Sequence, residues 1–357
     1  MVDLIDDDID ENIAELVRKQ TGPKGIEFLL KYVPDLAADD TILIDTASQF
    51  NILKQPKKQY KHIVNLAKVN EMRWINQVFL AANKKLELGG IFIGKAETIT
   101  ERERRAYSRR RRPMADIYYL LDFLFHRVSP KIRGLKKGYF FMTKGKRRVL
   151  SRAEILGRLI SCGFKIVEEV EIDNLLYFSV RKVENGTLAA NPSYGPLFRM
   201  DRIGKDGKII GVYKMRTMHP YSEFLQQYIY EQNSLQTGGK FADDFRISGV
   251  GRLFRKFWID ELPMIYNLLN GDMKLVGVRP LSKQYLSLYS EELKEARIKT
   301  KPGLVPPYYA DMPKTIEEIQ ESEMRYLNSY AKSPIITDIK YFFKAFYNIA
   351  VKKARSK

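Results

Sequence analysis

Short apolar runs separated by polar turns dominate the first half of the chain. Thr41 to Ile44 is one such run, ending at Asp45, and reads as a strand. Tyr60 to Leu86 reads as a helix, after which Gly89-Gly90 opens a buried strand, Ile91 to Gly94. Ser151, with Glu154 three residues on, has the capping-box signature of a helix running through Ser161. Gly163 stops that helix, and Phe164 to Val170 and Leu175 to Val183 read as two strands across a turn at Asp173-Asn174. Such alternation predicts an α/β fold.

In the second half, Arg199, Arg202 and Lys205 flank a turn at Gly204 to Gly207 between two short strands. Alternation along the second strand puts Lys214 and Arg216 on one face. Asp260 stands where an N-cap belongs: Pro263 suits a first turn, and Leu262, Ile265, Tyr266, Leu268 and Leu269 follow at helical spacing. Asn270-Gly271 supplies the stop. Asp272 to Pro280 reads as a buried strand presenting Arg279 at its exit. From Thr337 onward, Ile339, Phe342, Phe343, Phe346 and Ala350 share one helical face, with Lys340, Lys344, Lys352 and Lys353 elsewhere. A basic amphipathic helix of this kind docks on its own domain or lies on an anionic membrane surface.

Length and charge narrow the reading. At 357 residues, 45% hydrophobic and 29% charged, the chain should form two domains, and the polar stretch Glu184-Asn185-Gly186-Thr187 divides 1–185 from 186–357. The elements of the second domain should begin near Pro192. A single cysteine, Cys162, and no apolar N-terminal leader argue against secretion and for the cytoplasm. His62, His126 and His219 are scattered, so zinc is not expected and any metal should be a hard, oxygen-bound ion.

A net charge of +18 predicts a polyanionic partner. The first fifteen residues are acidic (Asp3, Asp6, Asp7, Asp8, Asp10, Glu11, Glu15), whereas Arg102 to Arg112 and Lys131 to Arg152 are strongly basic. Aromatic residues do not interleave with these basic runs as a stacking surface for nucleic acid requires, so no nucleic-acid partner is expected. Arg109 to Arg112 reads as a solvated face, with an anionic-lipid contact as the alternative. No apolar run reaches the length of a membrane span. Met114 to Phe125, interrupted by Asp116 and Asp122 and followed by Ser129-Pro130, reads as a packed helix first and an interfacial or re-entrant element second.

Candidate chemistry gathers in the second half. Lys214 and Arg216 on one face, with Arg202 nearby, suit a diphosphate. Arg246, Arg252, Arg255 and Lys256 lead into Ile259-Asp260-Glu261-Leu262-Pro263, where a helix start would lower the Asp260 pKa and attract phosphate. Carboxylate, helix start and arginines together are what phosphoryl transfer needs. Plainer readings stand beside each: a solvated basic face, a capping aspartate, an ion pair between Arg279 and Asp272.

Three motifs, in order, carry a resemblance: "GPLFRMDRIGKDGKIIGVYKMRTM", "FRISGVGRLFRKFWIDELPMIYNLLNGDMKLVGVRPLS" and "KTKPGLVPPYYAD". Over about 192–357 the chain resembles the bacterial sugar transferase family. The resemblance implies an α/β phosphoglycosyltransferase catalytic domain with a C-terminal amphipathic helix. Such an enzyme moves a sugar 1-phosphate from a UDP-sugar to polyprenyl phosphate, starting capsule, exopolysaccharide or O-antigen synthesis at the cytoplasmic face of the inner membrane. It implies Asp260 as nucleophile, Glu261 as its partner, Mg2+ held by both, and Arg202, Lys214, Arg216, Arg252 and Arg279 as phosphate ligands.

Two departures keep a non-catalytic, binding or scaffold homologue as the alternative. The family's proline-broken membrane helix is replaced by the polar, strand-like Ile172 to Asn191, with Ile117 to Pro130 as a displaced substitute. After Gly303 the family's phosphate-gripping arginine is missing, since none occurs between Arg297 and Arg325. Pro306 and Pro307 stiffen this loop, and Tyr308 and Tyr309 are expected to pack. The first half is similar to the later part of an S-adenosylmethionine-dependent methyltransferase, on "LELGGIFIGKAE" and "ILGRLISCGFKIVEE". No GxGxxG turn is present, so the resemblance implies an incomplete, Rossmann-like, degenerate domain. Oligomeric state stays open.

Overall fold

The computed structural model describes residues 11–56, 59–132, 134–187, 195–232, 235–236, 240–241 and 244–351. The acidic positions Asp3 to Asp10, the expected start near Pro192, and Lys352 and Lys353 lie outside them. The chain divides into two compact units, Met1–Tyr194 with His219–Gln232, and Gly195–Met218 with Asn233–Lys357.

The first unit is built on β1 (Thr41–Ile44), β2 (Tyr60–Lys68), β3 (Leu86–Ala96), β4 (Phe164–Ile172) and β5 (Leu175–Lys182). Their order is β1-β2-β3-β5-β4, with β1, β2 and β3 parallel and β5 antiparallel to both neighbours. Its helices are α1 (Glu11–Gln20), α2 (Pro23–Tyr32), α3 (Gln49–Leu53), α4 (Ile75–Lys85), α5 (Ile99–Arg109), α6 (Met114–Phe123), α7 (Leu135–Thr143), α8 (Arg152–Ser161) and α9 (Gln226–Gln232). Apolar side chains of the sheet meet helix side chains on both faces: Val64 and Ile93 pack with Phe28 and Leu29 of α2, while Phe92 and Phe178 meet Phe79 of α4 edge to face.

The stretch Tyr60 to Leu86, expected as one helix, is strand β2, a short turn and helix α4. β2 is the middle parallel strand, so Ile63, Val64 and Leu66 are all buried and give no alternation to mark a strand. The β4–β5 hairpin turns at Asp173 and Asn174, both at positive φ (48° and 59°), as a two-residue turn of this hand requires. Ser151 caps α8 by accepting from the Glu154 N–H at 3.1 Å. The Glu154 carboxylate, expected to complete a box, turns instead to Arg127 and Arg158. Met114 to Phe125 is helical and packs on α5 through Tyr119 and Asp122, but Ala115 alone is buried along α6 and most of its apolar side chains stay exposed.

The second unit holds the hairpin β6 (Leu197–Ile203) and β7 (Ile209–Met215), the short pair β8 (Leu235–Gln236) and β9 (Lys240–Phe241), and the parallel pair β10 (Lys274–Val276) and β11 (Gly303–Val305). Around them lie α10 (Gly249–Lys256), α11 (Met264–Leu269), α12 (Lys283–Leu286), α13 (Glu291–Ile298), α14 (Tyr308–Asp311), α15 (Ile316–Lys332) and α16 (Pro334–Ala350). Val276, Val278, Leu281, Leu293, Tyr326 and Leu327 form its core, with an ion pair between Arg297 and Glu323 buried beside them.

Helix α16 docks on its own domain. Phe342 packs on that core, with Ala345 and Asn348 buried along the same side, and Asn348 Nδ2 donates to the carbonyls of Tyr309 and Ala310. Ile336, Ile339, Phe343 and Phe346 stay exposed on the other side. Among the described residues no helix is long and apolar enough to cross a membrane.

Candidate active site

Asp260 lies in a single 3-10 turn, Ile259–Glu261, between α10 and α11. Ser248 caps α10 by accepting from the Gly251 N–H at 2.9 Å. The chain leaves α10 through Trp258, which takes a left-handed conformation (φ 54°) that bulky residues rarely adopt. Ring contact with Tyr309 (5.7 Å between centroids, 78° between planes) holds it there. Asp260 is therefore not the N-cap of α11 that its spacing suggested; Pro263 occupies that place. The left-handed residue ahead of it re-aims the carboxylate, and Asp260 Oδ1 is buried with no hydrogen-bond partner among the described residues.

The electrostatics follow from that placement. Burial pushes the Asp260 carboxyl above the ordinary aspartate range and the neighbouring Glu261 raises it further, while Lys214 and Arg255 oppose the rise. The expected lowering by a helix start is overturned, because the six-residue α11 does not begin at Asp260 and desolvation dominates. Lys214 Nζ donates to Glu261 Oε1 at 2.7 Å. Burial lowers the Arg255 guanidinium and Asp260 raises it; its Nε also donates to Thr217 Oγ1 at 2.9 Å.

Burial also pulls on Arg279, but Tyr308 and Glu261 beside it bring it net above its ordinary value. The expected pairing of Arg279 with Asp272 has a competitor, since Asp272 accepts from Asn267 and Asn270. Arg202 is lowered by burial and by Arg279, which places the two guanidinium groups in each other's field. Asp260, Glu261, Lys214, Arg279 and Arg202 thus come together. Arg216 Nε donates to the Gly195 carbonyl, and its guanidinium lies 5.1 Å from the Phe198 ring centre. Arg252 lies exposed on α10, one turn before Arg255.

Two contributors were not singled out from the sequence as site residues. Arg255, rather than Arg252, is in the field of Asp260, a choice between helix positions three apart that Thr217 decides. Asn267 is fully buried on α11, accepts from the Tyr213 N–H (3.1 Å) and donates to the Gly211 carbonyl (2.7 Å), stapling the helix after the dyad to β7. A buried asparagine among α11's apolar positions was the available signal. Of the apolar positions read at helical spacing, Leu262, Ile265, Tyr266 and Leu269 are exposed, whereas Met264 is buried. An apolar surface therefore flanks the dyad in the sequence.

Residues 185–352 match the family model described as bacterial sugar transferase. Over this part the chain is similar to the bacterial sugar transferases. It is similar to the galactosyl transferase CpsE of Streptococcus agalactiae serotype III, 36% identical over 152 residues (41% of this chain, 33% of that protein). Similarity extends to a UDP-N-acetylgalactosamine-undecaprenyl-phosphate N-acetylgalactosaminephosphotransferase of Aeromonas hydrophila, 35% identical over 32% of this chain and 25% of that protein. The undecaprenyl-phosphate galactose phosphotransferase of Salmonella typhimurium is 34% identical over 31% of this chain and 24% of its own. The chain thus spans a third or less of the length of these three relatives. The sugar transferase match takes in the dyad turn, both hairpin strands and α16.

Proposed function

We propose that the chain is a phosphoglycosyltransferase that moves a sugar 1-phosphate from a UDP-sugar to polyprenyl phosphate, starting capsule, exopolysaccharide or O-antigen synthesis. The observation that carries this reading is the half-buried Asp260 carboxylate, whose Oδ1 is shielded from solvent with no hydrogen-bond partner among the described residues and which is more basic than an ordinary aspartate beside the Glu261–Lys214 pair. An oxygen held ready and poorly solvated suits a nucleophile. Its Oδ would attack the sugar-proximal phosphorus, forming an acyl phosphate as the bond to uridine monophosphate breaks and that product leaves with the electron pair. An oxygen of polyprenyl phosphate would then attack the same phosphorus, releasing Asp260 and giving the polyprenyl diphosphate sugar.

Lys214, Arg255, Arg279 and Arg202 would balance the phosphate charge. Glu261 and the open Asp260 Oδ1 suit magnesium, which keeps waters and takes one or two carboxylates alongside substrate phosphates. When bound, the ion would supply charge neutralisation at the diphosphate. The exposed apolar side chains of α11 and α16 support peripheral attachment at the cytoplasmic membrane face, where the acceptor's hydrocarbon chain resides.

For the first unit, an antiparallel β5 inserted between β3 and β4 supports the reading as a Rossmann-like, methyltransferase-like domain lacking its cofactor turn. Calorimetry with S-adenosylmethionine should show no binding.

The transferase reading is tested by release of uridine monophosphate from a panel of UDP-sugars with polyprenyl phosphate and magnesium, comparing the intact protein with Asp260→Asn. Release that needs acceptor and disappears in the variant supports it. No release from any donor by the folded protein would leave a non-catalytic homologue.

A further inference from the structure

The first unit carries a surface that the transferase chemistry does not use. Helix α6 continues through a π-turn (Leu124–Val128) and a 3-10 turn (Ser129–Lys131) towards α7. Along it Ile117, Leu120, Leu121 and Leu124 follow at helical spacing and all are exposed, Leu121 by 61%. Helix α7 adds Phe141, 86% exposed, and Met142. Side chains of this size gathered on one segment exceed the scattered exposure normal for a soluble surface.

The two acids that interrupt the apolar run are held differently. Asp116 accepts a hydrogen bond from Tyr107 Oη at 2.5 Å. Asp122 is gripped at both oxygens by Arg102, at 2.6 and 2.7 Å, in a buried pair. Both acids therefore have partners on α5; Asp122 is withdrawn from the surface, while Asp116 stays exposed at the first turn of α6.

Cations border it. Arg109 to Arg112 are exposed at the root of α6, with the Arg110 guanidinium 3.5 Å above the Tyr118 ring and Arg112 5.2 Å from that of Tyr107. Lys136 and Lys137 are exposed on α7. An apolar face bordered by cations is complementary to one kind of surface, hydrocarbon beneath anionic headgroups. A soluble protein partner would have to combine an apolar groove with an acidic rim.

We infer that α6 and α7 insert into an anionic lipid bilayer to the depth of the headgroup and acyl boundary, giving the first unit its own membrane contact. Its residues all belong to the first unit, and the inference does not depend on the transferase reading.

Cys162 is buried, so a cysteine introduced at an exposed position can be labelled selectively. Three full-length variants, Leu121→Cys, Phe141→Cys and, as a control on exposed Lys84 of α4, Lys84→Cys, would carry an environment-sensitive nitrobenzoxadiazole label. With phosphatidylcholine vesicles containing phosphatidylglycerol, labels at 121 and 141 should shift to the blue and be quenched by doxyl groups on the lipid chains, while the label at 84 stays unchanged. Two outcomes overturn the inference: unshifted emission at both 121 and 141 in protein that floats with the vesicles, or equal shifts on phosphatidylcholine alone. A blue shift without vesicles that grows with protein concentration also overturns it, assigning the face to a second copy of the chain. Vesicle flotation of the unlabelled variants checks that each still binds as a folded protein.

Discussion

Lys214 Nζ reaches Glu261 Oε1 at 2.7 Å, so the second strand of the β6–β7 hairpin is tied directly to the turn that holds Asp260. The pair sets the charge around Asp260 from both sides: Glu261 raises its pKa and Lys214 lowers it.

Removing either partner should therefore move the acid limb of the activity profile in opposite directions. A nucleophilic Asp260 must be ionised, so activity falls as pH drops through its raised pKa. Lys214→Met removes a cation and should shift that limb to higher pH, with a loss of about 100-fold in kcat. Glu261→Gln removes an anion and should shift it to lower pH. Uridine monophosphate release across a pH series reads both.

Asp260→Asn should abolish transfer, by more than about 1000-fold, yet stabilise the fold. The sign follows from linkage. A carboxyl whose pKa is raised in the folded state favours folding when protonated, and that contribution is lost as pH rises through the folded pKa. At neutral pH the ionised Asp260 beside Glu261 is thus destabilising, and the amide relieves it by up to about 1 kcal/mol. Thermal unfolding at pH 7 and at acid pH should show the gain at pH 7 and its disappearance in acid.

Trp258 combines a left-handed backbone with packing against Tyr309. Trp258→Ala loses the packing and keeps the backbone strain, whereas Trp258→Gly loses the packing and relieves the strain. Denaturant unfolding should rank wild type above Gly and Gly above Ala, the two variants differing by about 1 kcal/mol.

Asn267→Leu keeps the branched outline of asparagine in a bulkier side chain but strands the Tyr213 N–H and the Gly211 carbonyl. Two buried backbone groups left unpaired should destabilise the second unit by roughly 2–4 kcal/mol, measured by urea unfolding.

What the sequence made legible was what local chemistry decides. The Asp173-Asn174 turn needs positive φ at two adjacent residues, and those residue types supply it. The β6–β7 hairpin was legible for a similar reason, since Gly204 to Gly207 marks its turn between apolar strands. β2 was not, because a strand buried on both faces has no period to read. The geometry of Asp260 was hidden for a different reason: the turn ahead of it is left-handed, held by a tyrosine far along the chain. α6 likewise looked more fully packed than it is because its two acids seemed to need a polar side, whereas Tyr107 and Arg102 from the preceding helix meet them. The motifs and their order indicated the dyad and its basic neighbours, but not which arginine of α10 faces Asp260.

The segment His219–Gln232 belongs to the first unit although the chain on either side of it builds the second. Tyr221, itself left-handed, sits over Gly157 of α8, where a Cβ would come within 2.2 Å of the Tyr221 carbonyl oxygen. Its hydroxyl accepts a 2.7 Å hydrogen bond from Asn76 Nδ2, and Tyr228 Oη donates one of 2.7 Å to Glu169. The second unit is consequently not a cassette that a single cut can lift out. A truncation before the first transferase motif would strip this loop of the surface that shapes it, and a shuffled chimera with another first domain would have to reproduce a glycine at the position of Gly157.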